Sequence, residues 1–402
     1  MNTNTGTEQY FLRKDYAEDI LVPSFIDFLK ERKVVFTSIK MDIIRAFQEA
    51  VRNGTISTAD LNSFLDKETR FGHNRTLFLK DIDSYSSNSL KKMSEKEIYE
   101  LIISKGWQVP SQNSILNVYR PEELTLVEVG IEEGCNISLT FIEEVEIKKK
   151  DIIDRQNNYY FVNVDLINNI FSVRMRPRGN NVVQVGFDEY KIVTDVQCFY
   201  KIKNWVQKML NLSLLDSSHF KSTLYKIAKD LTEKAEEPWR KEVEKHNDEI
   251  ETFSQEMLSK LEGIKPDVFD LEFRLKRLLE RALIQSNFKK MKEKEPGKKG
   301  FVNAFHFSDR SGGKIKASSR EKERAIDLSE IYYDTRDTID KKKAYDIVWA
   351  NWFVPGKKVS LSTRLEANDE FYQIHFYNYL SEDELYYVLS EIKHFKNKPL
   401  DE

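Results

Sequence analysis

The chain has only two cysteines in 402 residues, Cys135 and Cys198, far apart and without a C-x-x-C spacing. That excludes a disulfide framework and a cysteine-rich zinc site, and it fits a reducing compartment. No run of about 18 apolar residues occurs, so no helix is expected to cross a membrane. Residues Met1–Glu8 are polar and lack the apolar core of a signal peptide, which points to a cytoplasmic protein. No long-period repeat is present. Charge of one sign is also not in excess. There are 63 basic and 66 acidic residues, a net charge of −3, so any attraction to a polyanion must come from local patches.

Apolar residues make up 40% of the chain, with 25 Phe and 18 Tyr, enough to build real cores despite 32% charged residues. The length suggests two to four domains. The fold class expected is α+β, in four parts. Residues 1–105 read as a helical N-terminal domain. Ile39, Ile43, Ile44, Phe47 and Val51 follow a helical period that Asn53-Gly54 stops, Ser57 with Asp60 resembles a cap, and Ser94 with Glu97 forms a capping box before a helix that Gly106 ends. Residues 106–215 read as a mostly antiparallel β domain, because Leu124–Ile131, Ile137–Ile142 and Tyr159–Asp165 alternate. Residues 216–296 read as a helical region, with Pro238 at a helix start. Within it 239–290 forms an antiparallel helical hairpin sealed by Val243, Ile250, Phe253, Leu271, Leu275 and Leu278 and turned at Gly263–Pro266. Residues 297–402 read as a C-terminal α+β domain with a basic loop, a strand pair at 359–365 and 371–377, and a final helix opened by Ser381 and Glu384.

Two basic features carry the functional reading. A hairpin turning at Leu166–Asn169 leads into Ile170–Gly179, where Arg174, Arg176 and Arg178 sit two apart. On one continuous strand they share a face, opposite Val173, Met175 and Pro177. A row of guanidiniums suits a polyanion, and the aromatics of Tyr159–Phe161 on the opposed strand suit stacked bases. The second feature is Lys289–Arg324, with twelve basic and five acidic residues. Its Lys298, Lys299, Arg310, Lys314, Lys316 and Arg320 are candidate phosphate contacts, and Ser311–Lys314 lets backbone amides approach an anion. No strand–GxxxxGK[ST]–helix arrangement accompanies it, so it is not a nucleotide P-loop. Arg70 and Arg75 flank a turn after a helical segment. There they would touch phosphate if the preceding helices form a helix-turn-helix.

Catalytic patterns are sparser. Asp165 with Glu189-x-Lys191 resembles the metal-binding acid and E-x-K pieces of restriction-type nucleases, which implies magnesium held by the carboxylates. E-x-K also occurs at Glu31, Glu146 and Glu391. His306-Phe-Ser308 and His375-Phe-Tyr377 resemble the paired histidine strands of two-histidine phosphoesterases, with Tyr377 where that pattern has Ser or Thr and Asp309 after the first copy; core histidines are the simpler reading. The sequence therefore points to a nucleic-acid-binding (polyanion-binding) protein without intrinsic catalysis, needing no cofactor or metal. It would serve as the DNA- or RNA-engaging subunit of a multi-protein system, bacterial by its Lys/Ile/Asn-rich composition. A metal-dependent nuclease is the alternative, and a scaffold that engages a protein partner through the helical hairpin is a third.

Overall fold

The structure is a computed structural model that describes residues 12–37, 39–109, 115–116, 121–149, 152–179, 181–186, 189–261, 270–287, 298–308, 313–319, 325–328 and 330–399. The chain is α+β, and it forms two compact units: residues 1–216 with 378–385, and residues 217–377 with 386–402.

The first unit begins with helices α1 (Lys14–Asp19), α2 (Val22–Glu31), α3 (Lys40–Arg52) and α4 (Thr58–Arg70). Their apolar faces meet in an aromatic cluster. Phe28 and Phe64 lie 4.3 Å apart between ring centroids, and Phe25 and Phe47 lie 5.1 Å apart. Gly54 at φ +77° follows α3, a conformation that costs glycine little, and the Ser57 side chain accepts the Asp60 N–H at the start of α4. A strand then appears where the sequence reads helical: β1 (Thr76–Asp81). Leu77, Phe78 and Leu79 are all buried, so the segment has no apolar period, and a short run of that kind does not distinguish strand from buried helix. Helices α5 (Ser84–Lys91) and α6 (Glu95–Ser104) follow, α6 opened by the Ser94–Glu97 capping box.

The remaining strands of this unit are β2 (Thr125–Glu132), β3 (Asn136–Lys149), β4 (Ile152–Asp165), β5 (Ile170–Met175), β6 (Asn181–Gly186) and β7 (Glu189–Ile192), then helix α7 (Asp195–Leu210). Pairing runs β7-β6-β3-β4-β5-β1, all antiparallel. Strand β3 is long enough to take two neighbours on one edge, β2 along Asn136–Ile142 and β6 at Glu146 and Ile147. The β4–β5 hairpin turns at 166–169 as read, with Asn169 left-handed at φ +53°. The turn sets Asp165 against Ile170 and Tyr160 against Met175.

The second unit contains α8 (Phe220–Glu244), α9 (Asn247–Lys260), α10 (Leu271–Asn287), β8 (Gly300–Ser308), β9 (Lys314–Ser318), α11 (Glu330–Lys342), β10 (Ile347–Trp352), β11 (Leu361–Ala367), β12 (Tyr372–Phe376) and α12 (Glu382–Asn397) from Tyr386 onward. Pro238 does not start a helix; it lies inside α8. Proline removes one helical hydrogen bond there, and Arg240 spans the weak turn by pairing with Glu233 at 2.8 Å and Glu236 at 3.6 Å. Helices α9 and α10 pack on each other, and α10 also packs on α8. The seam differs from the one read in the heptads. Val243 and Ile250 are buried, but Phe253 and Leu278 are 50% and 59% exposed. In their place Glu280 is buried beside Arg277, and Arg277 also reaches Asp340 on α11 at 2.9 Å. An ionic seam has no apolar period to read. The turn expected at Gly263–Pro266 lies outside the described residues.

In this unit the sheet runs β12-β11-β10-β8-β9. Helix α8 packs against β8, β10 and β11. Phe220 of α8 stacks on Tyr372 at 4.7 Å, and buried Trp352 donates its indole N–H to Thr363 Oγ1 at 2.8 Å. Phe305, Phe307, Val348, Ala350, Leu365 and Ile374 complete the buried side.

Candidate nucleic-acid interface

The three arginines of the first basic feature do not form one exposed face. Strand β5 ends at Met175, so only Arg174 is on it, and β5 is a central strand between β4 and β1. Arg174 is 8% exposed. Its guanidinium lies 4.7 Å from the Phe161 ring and 5.0 Å from the Phe71 ring, and it donates to the Arg70 carbonyl, so it ties the end of α4 to the sheet. Val173 and Met175 are buried, as their side of the strand was read. Arg176 pairs with Asp19 at 2.7 Å. Arg178, 5% exposed, donates to Gln156 Oε1 at 2.5 Å and to the Asn157 carbonyl at 3.0 Å. Arg70 is held by Asp66 at 2.7 Å and by both oxygens of Glu128. Arg75 lies close enough to Arg176 that burial and that charge lower its pKa. So Arg176, Arg178 and Arg75 gather in one place, while Arg174 and Arg70 serve the packing of α4.

The second basic feature divides differently. Arg310 and Arg320 lie outside the described residues. Lys298 is buried and its ammonium sits 3.3 Å from the buried Asp327 carboxylate. Lys299 pairs with Glu391 at 2.7 Å. Lys314 and Lys316 on β9 are exposed, and among the described residues neither has a carboxylate partner.

Alternation across the strands explains what surrounds them. With Phe305, Val348, Leu365 and Ile374 turned to the helices, the neighbouring positions face the other way. Cross-strand register aligns Ser318, Ala304, Trp349, Arg364 and His375 in one row, and Lys316, His306, Ile347, Glu366 and Gln373 in the next. Trp349 is the centre of this face. Lys316 Nζ lies 5.6 Å from its ring and the Arg364 guanidinium 5.9 Å, across small Ala304 on one side and directly opposite on the other. The indole N–H donates to Tyr377 Oη at 3.2 Å, and Tyr377 is 48% exposed. Arg364 also pairs with Glu366. Comparison with known proteins found no matching family model, curated protein or solved structure.

Other chemistry is not assembled. Asp165 lies on β4 opposite Asn136, whereas β6 joins the other edge of β3 at Glu146 and Ile147 and β7 pairs with β6. Asp165 accepts from Asn168, and the strands that carry Asp165 and Glu189-x-Lys191 are three apart in the order β7-β6-β3-β4. No group of three or more metal-ligating side chains forms among the described residues. His306 and His375 share the outward face but sit three strands apart, about 14 Å at the usual spacing. His306 has Asp346 at 3.9 Å and His375 has the Tyr377 ring at 5.1 Å. Sequence reading missed Trp349, Arg364 and Tyr377 as a group. The signal was the alternation through Ile347, Trp349 and Asn351, which makes that segment a strand.

Proposed function

We propose that this protein binds single-stranded nucleic acid, DNA or RNA, on the outward face of the β12-β11-β10-β8-β9 sheet, without catalysing a reaction on it. The observation that carries the reading is Trp349 lying between two cations on a sheet face opposite the helices. An aromatic platform stacks bases of any sequence, and cations at its edges meet the backbone. Lys314 and Lys316 extend the positive strip along β9, Arg364 continues it on β11, and Tyr377 adds a second ring. Fluorescence anisotropy with labelled 20-nucleotide oligo(dT), oligo(U) and a 20-bp duplex tests it. The single strands should bind more tightly than the duplex, and Trp349→Ala should weaken them by about 1–3 kcal/mol, the worth of one stacked base. Unchanged affinity in a folded Trp349→Ala protein removes the proposal.

A second reading, engagement of a protein partner through α9 and α10, is favoured by one observation: Phe253, Leu278 and Leu279 are exposed on those helices. Light scattering of wild type and a Phe253→Ser/Leu278→Ser protein tests whether that surface self-associates.

A further inference from the structure

Helix α7 buries one side in the first unit, through Phe199, Ile202, Val206 and Met209. Its other side carries Lys201, Asn204, Trp205 and Lys208, all exposed. Their i, i+3, i+4 and i+7 spacing puts them on one helix face. No carboxylate follows Asp195 in this helix, although the chain as a whole has more acidic than basic residues. Lys201 is engaged, since its ammonium pairs with Glu143. Among the described residues the side chains of Asn204 and Lys208 make no hydrogen bond or ion pair, so both present their donors to solvent.

Trp205 is the unusual member of the face. Tryptophan is the largest side chain and is highly buried on average, yet this one is 46% exposed. It is not loose. The Trp107 ring meets it at 77° between planes and 5.0 Å between centroids, and Trp107 in turn packs edge-on against buried Phe141 at 5.3 Å. Phe141 belongs to β3, so the sheet holds the indole in place through two rings. A ring fixed before its ligand arrives loses little freedom on binding. The chemistry around it selects the occupant. A partner helix with an apolar stripe would meet lysines and an amide along this row. An open ring with lysines one turn away on either side suits a stacked base and its phosphate.

We infer that this face of α7 is a second contact for single-stranded nucleic acid, with a base stacked on Trp205, its edge bonded to the Asn204 amide and a backbone phosphate on Lys208. It rests on the reading above that the chain binds single strands, but it shares no residue with the sheet face. Two measurements on the full chain test it: anisotropy with labelled oligo(dT), and photocrosslinking of an oligonucleotide carrying 5-iodouracil, which couples to a stacked aromatic ring. Trp205→Ala should weaken oligo(dT) about tenfold, within the worth of one stacked base. Lys208→Gln, at an exposed position, should flatten the log–log salt slope by roughly 0.7, one phosphate on a single strand. Crosslinks should map to Trp205 as well as to Trp349. Circular dichroism should match wild type in both variants; if Trp205→Ala misfolds, the Lys208→Gln slope and the Trp205 crosslink decide. Wild-type affinity and slope in both variants, with crosslinks at Trp349 alone, overturn this inference and leave the sheet-face reading standing. Lost affinity in Trp205→Ala with none lost in Trp349→Ala removes the sheet-face reading and keeps this one. No binding of oligo(dT) by wild type removes both. Light scattering that shows a dimer in wild type and a monomer in a Trp205→Ala protein of unchanged affinity overturns the inference in favour of a second copy of this chain.

Discussion

Two regions of this chain concentrate positive charge, and they use it in opposite ways. In the first unit, Arg174, Arg176 and Arg178 are drawn inward, onto aromatic rings, a carbonyl and a carboxylate. In the second, Lys314 and Lys316 stand outward on β9, beside a tryptophan. Side-chain chemistry contributes to the difference, since a guanidinium is planar and weakly hydrated and tolerates burial against rings, whereas an ammonium is strongly hydrated. Strand position decides the rest. Arg174 on β5 is covered by the Phe71 and Phe161 rings, while the outward face of the second sheet lies opposite its helices. Lys298 shows that position outweighs residue type: it belongs to the same basic stretch as Lys316, yet its side chain is 2% exposed against Asp327.

The largest effect should come from that pair of lysines. Lys298→Met takes the ammonium away from the buried Asp327 carboxylate, a change expected to cost about 3–5 kcal/mol. Lys316→Met, the same substitution on the open face, should stay within about 0.5 kcal/mol. Urea denaturation of both variants measures the contrast, and equal midpoints would show that burial does not separate the two lysines. Lys298→Met/Asp327→Leu should recover most of the loss, because both members of the buried ion pair are then replaced by apolar side chains.

Next comes Arg174→Ala, which removes a charge-assisted hydrogen bond to the Arg70 carbonyl and contacts with two rings. A loss of about 2–4 kcal/mol is expected, read as a lower denaturation midpoint. A wild-type midpoint would return Arg174 to the role of a surface cation. Weaker nucleic-acid binding at unchanged stability would make it part of the interface.

These contrasts bear on what was legible in the sequence. Capping signals at Ser57, Ser94 and Ser381, glycine stops at Gly54 and Gly106, and the β4–β5 turn are local, and each sits where the sequence placed it. Buried charge was not legible. Arg174 and Lys298 read as exposed polyanion contacts because only tertiary structure supplies the Phe161 ring and Asp327 that accompany them. The same limit hid β1, whose partner β5 lies almost a hundred residues away. It also hid the Trp349 platform, which exists only when β9, β8, β10 and β11 are set side by side.

The smallest effect expected concerns His73, and it sharpens the comparison from the side of the inward cations. Burial, then Arg176 and Arg75, hold its pKa down to about 4, against about 6.5 in an unfolded chain. The unfolded state therefore takes up the proton first as pH falls. Above about pH 6.5 the imidazole is neutral in both states and the fold carries no penalty. Between about pH 6.5 and pH 4 protonation favours the unfolded chain, and stability is lost across that window. His73→Gln removes the titrating group but keeps a polar side chain, so its stability should fall less steeply than wild type over the same interval. Urea midpoints at pH 7.0 and 4.5 for the two proteins measure this. The Arg176→Gln protein supplies the control, since losing the neighbouring charge should raise the His73 pKa and shallow the wild-type slope as well. Parallel pH dependences in all three would mean that the guanidiniums gathered near His73 do not set its charge.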